Sequence, residues 1–200
     1  MQSQPSSFLF VLGSTRRNGN SEALARRAAA ALPESVEQEW IRLTDHPLPP
    51  FEDVRHTGTG IYKEPEGNAR VLWQSTRKAT DLVIVSPLYW YSLSASVKLY
   101  LDHWSGWMRV PGTDFVNDMR GKTMWGVTAY ASVDAALADP LVGTLRNCAD
   151  YLGMRWGGVL LANGTKPGQV LDDPAALDRA ADFFAREGTA VLPSHASDGS

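Results

Sequence analysis

The chain has 200 residues, of which 44% are hydrophobic, and its 19 Lys and Arg against 22 Asp and Glu give a formal net charge of −3. This composition is typical of one globular domain. It excludes wholesale disorder and gives no global electrostatic reason to bind nucleic acid or an anionic membrane. The single cysteine, Cys148, excludes an intramolecular disulfide framework, a multi-cysteine zinc site and a cysteine-ligated iron–sulfur cluster.

Short apolar runs alternate along the chain with longer segments of helical period. The runs predict strands that are buried on both faces. In chain order the sequence predicts strand 8–12, helix 22–32, strand 36–43, helix 68–79, strand 82–85, helix 94–104, strand 122–128, helix 140–152, strand 156–162 and helix 174–187. The proline-rich segment 44–67 predicts a long loop. We expect one domain over 8–190, with disorder in 1–7 and 191–200.

This alternation predicts an α/β fold. Strands interleaved with helices form right-handed crossovers and a mostly parallel sheet covered on both faces. Such sheets bind ligands at the carboxyl ends of their strands. The loops that follow Leu12, Val85 and Thr128 are therefore the candidate ligand-binding segments.

The first of these loops has the chemistry of an anion site. Residues 13–21 read Gly-Ser-Thr-Arg-Arg-Asn-Gly-Asn-Ser and lead directly into a helix, whose positive end, backbone N–H groups and hydroxyls can converge on an anion. Arg16 or Arg17 can add a charge-assisted contact. The loop lacks both the Gly-Lys-Ser/Thr ending of a triphosphate loop and the Gly-x-Gly-x-x-Gly of a dinucleotide turn. It favours a mononucleotide monophosphate; the alternative is an ordinary hydrophilic turn with an N-cap.

The second loop carries three consecutive aromatic residues, Tyr89, Trp90 and Tyr91, at the carboxyl end of the most apolar strand. Backbone groups in such a loop can meet the polar edge of a planar heterocycle, and aromatic side chains can cover its face. Each aromatic alone could equally be a core residue under the sheet rim. Three in a row cannot all point inward, so at least one should face the ligand cleft or a partner subunit.

Together the two segments resemble the NAD(P)H-dependent FMN reductase family. The resemblance rests on residues 13–21 and on residues 86–102, Ser-Pro-Leu-Tyr-Trp-Tyr-Ser-Leu-Ser-Ala-Ser-Val-Lys-Leu-Tyr-Leu-Asp. It extends more loosely through 120–122 and 151–154, and so covers most of 8–162. It implies a flavodoxin-like three-layer sandwich around a five-stranded parallel sheet, with FMN as cofactor and NAD(P)H as electron donor.

The resemblance also implies where the cofactor lies. The FMN phosphate would be held in the first loop by Ser14, Arg16, Asn18, Gly19, Asn20 and Ser21. The isoalloxazine would be lined in the second loop by Pro87, Leu88, Tyr89, Trp90, Tyr91 and Ser92. A third wall would come from Thr128, Ala129 and Tyr130. Relatives commonly have glycines after this strand, so Tyr130 would crowd or stack on the flavin.

The implied reaction consists of two half-reactions in one cleft. A nicotinamide passes hydride to flavin N5 and leaves, and a planar acceptor such as a quinone, a free flavin or an azo compound takes its place. Hydride transfer needs no protein nucleophile or base, so we expect no catalytic side chain, and we expect no metal site. Two alternatives stay open: a flavodoxin-type electron carrier without reductase activity, and a flavodoxin-fold regulatory protein whose pocket is empty or holds another phosphate ligand.

The sequence also leads to expectations about the oligomeric state and the cellular location of the protein. The resemblance implies a homodimer, and the proline-rich loop 44–67 would need a surface to rest on. The segment at the amino terminus lacks the basic flank and apolar core of a secretory signal, and no run approaches the roughly 18 apolar residues of a membrane span. We therefore expect a cytoplasmic protein whose partners are small-molecule electron acceptors, not nucleic acid or membrane. The sequence does not distinguish NADH from NADPH.

Overall fold

The computed structural model describes residues 6–132 and 134–185, which form one parallel sheet flanked by helices. The strands are β1 (Ser7–Leu12), β2 (Glu37–Arg42), β3 (Asp81–Val85), β4 (Thr123–Tyr130) and β5 (Arg155–Asn163). They lie in the order β2-β1-β3-β4-β5, and every neighbouring pair is parallel. The α-helices are α1 (Asn20–Ala29), α2 (Gly67–Lys78), α3 (Ala95–Trp107), α4 (Phe115–Met119), α5 (Asp139–Tyr151) and α6 (Pro174–Ala181).

The five predicted strands are confirmed. The sequence analysis did not predict α4 or the 3-10 helices Ala135–Ala138 and Gln169–Asp172, and the other differences lie at the ends of elements. β1 includes Ser7, which the sequence analysis assigned to a disordered terminus. α1 begins at Asn20, two residues before its predicted start. α6 ends at Ala181 and is followed by a 3-10 turn, Phe183–Ala185, where one continuous helix to 187 was predicted. The predicted tail 191–200, residues 1–5 and residues 186–190 lie outside the described residues.

The sheet separates two hydrophobic clusters, because successive side chains of a strand point to opposite faces. Along β1, Phe8, Phe10 and Leu12 pack with α1 and α6, whereas Leu9 and Val11 pack with α2, α3 and α5. Both faces of the central strands are therefore covered, which explains their uninterrupted apolar sequences. This three-layer arrangement confirms the predicted α/β fold class.

Residues 44–66, which we call the strap, cross α3 on the outside of the molecule. The ring of Tyr62 packs so closely on Gly106 that a Cβ there would lie 2.8 Å from Tyr62 Cδ1. His103 Nε2 donates to the carbonyl of Pro49 (2.9 Å), and the rings of Phe51 and Tyr62 are stacked 6.2 Å apart. The strap thus rests on its own chain, so its need for support gives no reason to expect a second subunit.

In the described ranges, no helix combines the length and the apolarity that crossing a bilayer requires. In the same ranges, no group of three or more His, Cys, Asp and Glu side chains is placed to hold a metal ion.

Candidate functional site

Four loops meet at the carboxyl-terminal edge of the sheet and enclose an open cleft of about 230 Å³. They follow β1, β3, β4 and β5, which are consecutive in the sheet. The chain leaves β1 in one direction to form β2 and then returns to β3 on the other side of β1. The cleft therefore lies at the switch point where α/β sheets bind ligands. It is lined by Ser14, Arg16, Gly19, Asn20, Ser21, Pro87, Leu88, Tyr89, Ala129, Tyr130, Ala131, Gly164 and Thr165.

The loop between β1 and α1 is shaped by its own hydrogen bonds. Ser14 Oγ accepts from the backbone N–H of Arg16 (3.1 Å), and Asn18 has a φ of +54°, a conformation that asparagine tolerates better than most residues. α1 then begins behind Gly19, which has no side chain to cap it. Because the first N–H groups of a helix have no intrahelical acceptor, they are available here to an anion in the cleft.

The two arginines of this loop have different surroundings. Arg17 Nη2 donates to both carboxylate oxygens of Asp45 in the strap, at 2.9 and 3.1 Å. Arg16 lines the cleft and is exposed. The sequence left open which arginine meets the anion. The structure gives Arg17 a partner elsewhere and places Arg16 at the cleft.

Two buried polar atoms near the cleft have no hydrogen-bond partner among the described residues. These atoms are Asn20 Oδ1, on a side chain that lines the cleft, and Thr128 Oγ1. By contrast, Ser21 Oγ accepts from the backbone N–H of Ala129 (3.0 Å) and so joins the start of α1 to the end of β4. A Cβ on Gly164 would lie 3.0 Å from Asn20 Nδ2. The absence of a side chain at Gly164 therefore leaves space in the cleft beside the Asn20 side-chain amide.

The aromatic loop forms a tight turn. The backbone groups of Tyr89 and Ser92 exchange two hydrogen bonds of 3.0 Å around Trp90 and Tyr91, whose φ values are +49° and +63°. Positive φ at both central positions marks a type I′ turn, which normally takes Asn-Gly, and for other residues it costs about 1–2 kcal/mol each. Trp90 is 93% exposed, and Tyr89 and Tyr91 are about half exposed. None of the three is therefore a core residue.

The predicted site residues fall into two groups. Most of them line the cleft, including Ala129 and Tyr130 of the third wall, and the backbone N–H of Leu88 donates to the carbonyl of Ala129 (3.3 Å) across two walls. Thr128 is fully buried one residue earlier and does not line the cleft. The other predicted residues that do not line it are Asn18, Trp90, Tyr91 and Ser92.

Sequence reasoning missed the fourth wall, which is the loop after β5. Gly164 donates its N–H to the carbonyl of Tyr130 (2.9 Å). The backbone N–H and Oγ1 of Thr165 both donate to Gln169 Oε1, at 2.8 and 3.1 Å. The signal was present: the polar run Asn-Gly-Thr directly follows the predicted strand 156–162. The rule that selected the other three loops would have selected this one too.

A larger hollow, of about 940 Å³, opens at the amino-terminal edge of the sheet. It is bordered by Ser6 and Ala185, the two ends of the described chain, and by the rings of Trp125 and Phe184. Ligands of parallel sheets bind at the opposite edge. The smaller cleft is therefore the candidate functional site.

Known proteins resemble this chain in sequence and in fold. The chain is 28% identical over 177 residues to Bacillus subtilis (strain 168) YwqN, which is named as an NAD(P)H-dependent FMN-containing oxidoreductase; the match covers 88% of this chain and 95% of that protein. The Trp repressor binding protein of Bacillus subtilis superposes with a TM-score of 0.72 at 24% identity, covering 90% of this chain and 99% of that one.

A third similar structure is an FMN-dependent NADH-azoreductase from Bacillus anthracis in complex with FMN. It has a TM-score of 0.61 at 15% identity and covers 90% of this chain and 98% of its own. At these identities the two structural likenesses establish the flavodoxin-like fold alone. The family model of NADPH-dependent FMN reductases matches residues 7–158, which include the loops after β1, β3 and β4. The chain is thus a member of the NADPH-dependent FMN reductase family, the FMN-dependent NAD(P)H oxidoreductases.

Proposed function

We propose that this protein binds FMN in the cleft, takes hydride from NAD(P)H and reduces a planar acceptor such as a quinone, a flavin or an azo compound. Family membership supports the oxidoreductase class. The main support for this cleft as the FMN site is that two features meet at one switch point of the sheet. These are the start of α1, which no side chain caps, and the aromatic turn from Tyr89 to Ser92. FMN has an anionic phosphate at one end and a planar ring at the other, so these two features match its two ends.

The polar end of the cleft fits the tail of FMN. The N–H groups at the start of α1 and the guanidinium of Arg16 are donors, and a phosphate monoester needs donors for its three terminal oxygens. Asn20 Oδ1 is a buried acceptor that lacks a donor among the described residues, and the ribityl chain offers hydroxyl donors. Ser21 Oγ accepts from Ala129, which leaves its own hydrogen to donate.

The aromatic end fits the ring. Pro87, Leu88 and Tyr89 form one wall, and Tyr130, at the end of β4, belongs to another. These side chains offer apolar area to a flat heterocycle and exclude water from one side of it. Trp90 lies outside the cleft lining, and its exposed indole is suited to contact a second planar molecule that approaches the ring.

Bound FMN would supply the redox chemistry, accepting hydride from a nicotinamide and giving it to the acceptor. The protein's part is to bind, orient and exclude water. In the described part of the chain the titratable side chains of the cleft are Arg16, Tyr89 and Tyr130. Hydride transfer needs no proton from any of them, so we assign none a catalytic role.

The test begins with the visible spectrum of the purified protein and an anaerobic titration with NADH and with NADPH. We expect a yellow protein that is bleached by at least one nicotinamide and regains its colour when a quinone, flavin or azo dye is added. A yellow protein that neither nicotinamide bleaches would be an electron carrier. A protein that retains no yellow colour after incubation with FMN and removal of the free cofactor would overturn the proposal.

Arg16→Ala tests the phosphate end separately. Removing one charge-assisted contact should weaken FMN binding by about tenfold, measured as quenching of FMN fluorescence, with circular dichroism unchanged. Arg27→Ala is the matched control, because Arg27 is an exposed arginine of α1 that does not line the cleft. Equal affinity in both variants would remove Arg16 from the phosphate site.

We further propose a homodimer that works in the cytoplasm, where NAD(P)H is supplied. The family resemblance and the half-exposed ring of Tyr91 support the dimer, because large exposed apolar groups are suited to contact a second subunit. Sedimentation velocity at micromolar concentration should then give a single species of about twice the 21.9 kDa chain mass. A monomer under these conditions would contradict the dimer.

A further inference from the structure

An ion pair is buried directly behind the phosphate loop. Glu22, in the first turn of α1, and Arg42, the last residue of β2, are 3% and 8% exposed. Arg42 Nη2 lies 2.6 Å from Glu22 Oε2. Neither side chain lines the cleft. Charged residues are seldom buried so completely unless they are paired, and a buried pair is not by itself stabilising. The pair therefore calls for an explanation other than fold stability.

The backbone contacts of the pair suggest that explanation. Arg42 Nη1 donates to the carbonyl of Ser14 (3.2 Å) and, more weakly, to that of Arg16 (3.5 Å). Glu22 Oε2 accepts from the backbone N–H of Asn18 (3.0 Å). The pair thus holds the loop at three backbone points. Two carbonyl oxygens, which would repel a phosphate, are bonded to a guanidinium that lies outside the cleft.

The charges around Glu22 also favour an anion at the start of α1. A lone carboxylate at the start of α1 would repel an anion there. Burial alone would raise the pKa of Glu22, but hydrogen bonds from Arg42, Arg26 and the Asn18 N–H hold that pKa below its usual value. Glu22 Oε1 accepts from Arg26 at 2.8 and 3.1 Å. One carboxylate therefore faces two guanidinium groups, and the cluster is net positive behind the loop.

We infer that Glu22 and Arg42 are positioning residues, which hold residues 14–18 in their phosphate-binding shape before the ligand arrives. The inference rests on the proposed function, since it concerns the phosphate end of the FMN site. It has a specific consequence. The pair should strengthen the binding of FMN and leave the binding of riboflavin, which has the same ring and ribityl chain without the phosphate, unchanged.

The experiment measures both ligands on the apoprotein by fluorescence quenching. The principal variant is Glu22→Gln/Arg42→Met, because removing only one partner would leave a buried charge unpaired. We expect its Kd for FMN to rise about tenfold or more, and its Kd for riboflavin to stay within about twofold. Arg42→Lys, which keeps the charge but not the two-sided guanidinium, should recover part of the loss. Arg77→Met, which breaks the ion pair with Asp118 at the other end of the sheet, should bind both ligands like the wild type.

The outcomes distinguish a failure of the proposed function from a failure of the positioning role. If the wild type binds neither ligand, the proposed function fails. If the wild type binds FMN but the double variant weakens both ligands equally, or weakens neither, the positioning role is overturned while the proposed function stands.

A measurement on the wild type covers the case in which the double variant does not fold. Amide hydrogen exchange of the apoprotein, read residue by residue by NMR, should show Asn18 N–H protected without any ligand, because Glu22 already accepts from it. An Asn18 amide that exchanges at the unprotected rate until FMN is added would mean that the ligand shapes the loop. That result would overturn the inference.

Discussion

Gly13 joins the end of β1 to the loop that follows it and lies against the start of α3. Its N–H donates to the carbonyl of Val85 (2.8 Å), and its carbonyl accepts from Ser96 Oγ (3.0 Å). A Cβ on Gly13 would lie 2.2 Å from Val97 Cγ2 and 2.7 Å from Ser94 Oγ. The start of α3 can approach the end of β1 only because this position has no side chain.

Gly13→Ala should therefore force α3 away from the sheet. Overpacking of a buried site costs about 1–3 kcal/mol, and we expect the free energy of unfolding in urea to fall by that amount. Gly143→Ala is the matched control, because Gly143 lies within α5 and has open space around the position of its Cβ. That variant should be neutral or more stable by about 0.5–1 kcal/mol, since alanine is the better helix former. Equal stabilities would contradict the close approach.

Lys122, just before β4, has an unusual environment for a lysine. It is about half buried, and its Nζ donates to the carbonyls of Thr76 (3.1 Å) and Arg77. Burial lowers the pKa of Lys122 to about 8, although Asp118 acts in the opposite direction. Lys78 is the natural comparison, because its bond to Glu37 raises its pKa.

We expect the rate of acetylation of Lys122, followed by mass spectrometry against pH, to reach half its maximum near pH 8, and that of Lys78 well above it. The same shift links pH to stability. Between about pH 8 and 10 the unfolded chain binds a proton at residue 122 that the folded chain does not, so this residue's contribution to stability rises with pH. Lys122→Met should remove that rise. Parallel titration of the two lysines would contradict the prediction.

The turn between Tyr89 and Ser92 has side chains that its backbone does not favour. Trp90→Gly removes an almost fully exposed ring and relieves a left-handed conformation. We expect the free energy of unfolding to rise by about 1 kcal/mol. If the indole contacts the acceptor, kcat/KM for a quinone or azo dye should fall at the same time. Trp90→Tyr keeps both the strain and a ring, and should change neither quantity. A Gly variant that is less stable would contradict the strained turn.

Strands and ligand-binding loops could be predicted from the sequence where a single physical property, such as burial on both faces, determined the local pattern. The central strands are buried on both faces, so an apolar run such as 82–85 was sufficient. The loops after β1 and β3 were predicted to bind a ligand because parallel strands bring their carboxyl ends together. The buried pair could not be found in this way, because pairing Glu22 with Arg42 requires β2 to lie beside β1. Glu22 did give one local signal: it lies on the same face of α1 as the buried Ala25 and Ala29.

Of the residues that line the cleft, Leu88 and Ala129 also pack with the two hydrophobic clusters, so the cleft meets the core at its margin. The two hydrophobic clusters lie on the faces of the sheet and include the ring cluster of Tyr100, Trp104 and Trp107, whereas the cleft lies at the sheet's carboxyl edge. FMN would therefore cover the margin of each cluster and leave its interior unchanged. The apoprotein should fold by itself, and the cofactor should stabilise it only by binding to the folded state.

The position of the cleft at the margin of the core predicts how FMN should change the free energy of unfolding in urea. The apoprotein should unfold in one cooperative transition and retain the near-ultraviolet circular dichroism of its buried tryptophans. Added FMN should raise the free energy of unfolding by RT ln(1 + [FMN]/Kd), which is about 2.7 kcal/mol at 100 times the Kd and about 0.4 kcal/mol for each further doubling. The Kd comes independently from fluorescence quenching. An apoprotein without a cooperative transition would mean that the cofactor helps to form the core. A gain that departs from this relation would mean that one FMN bound to each folded chain does not describe the stabilisation.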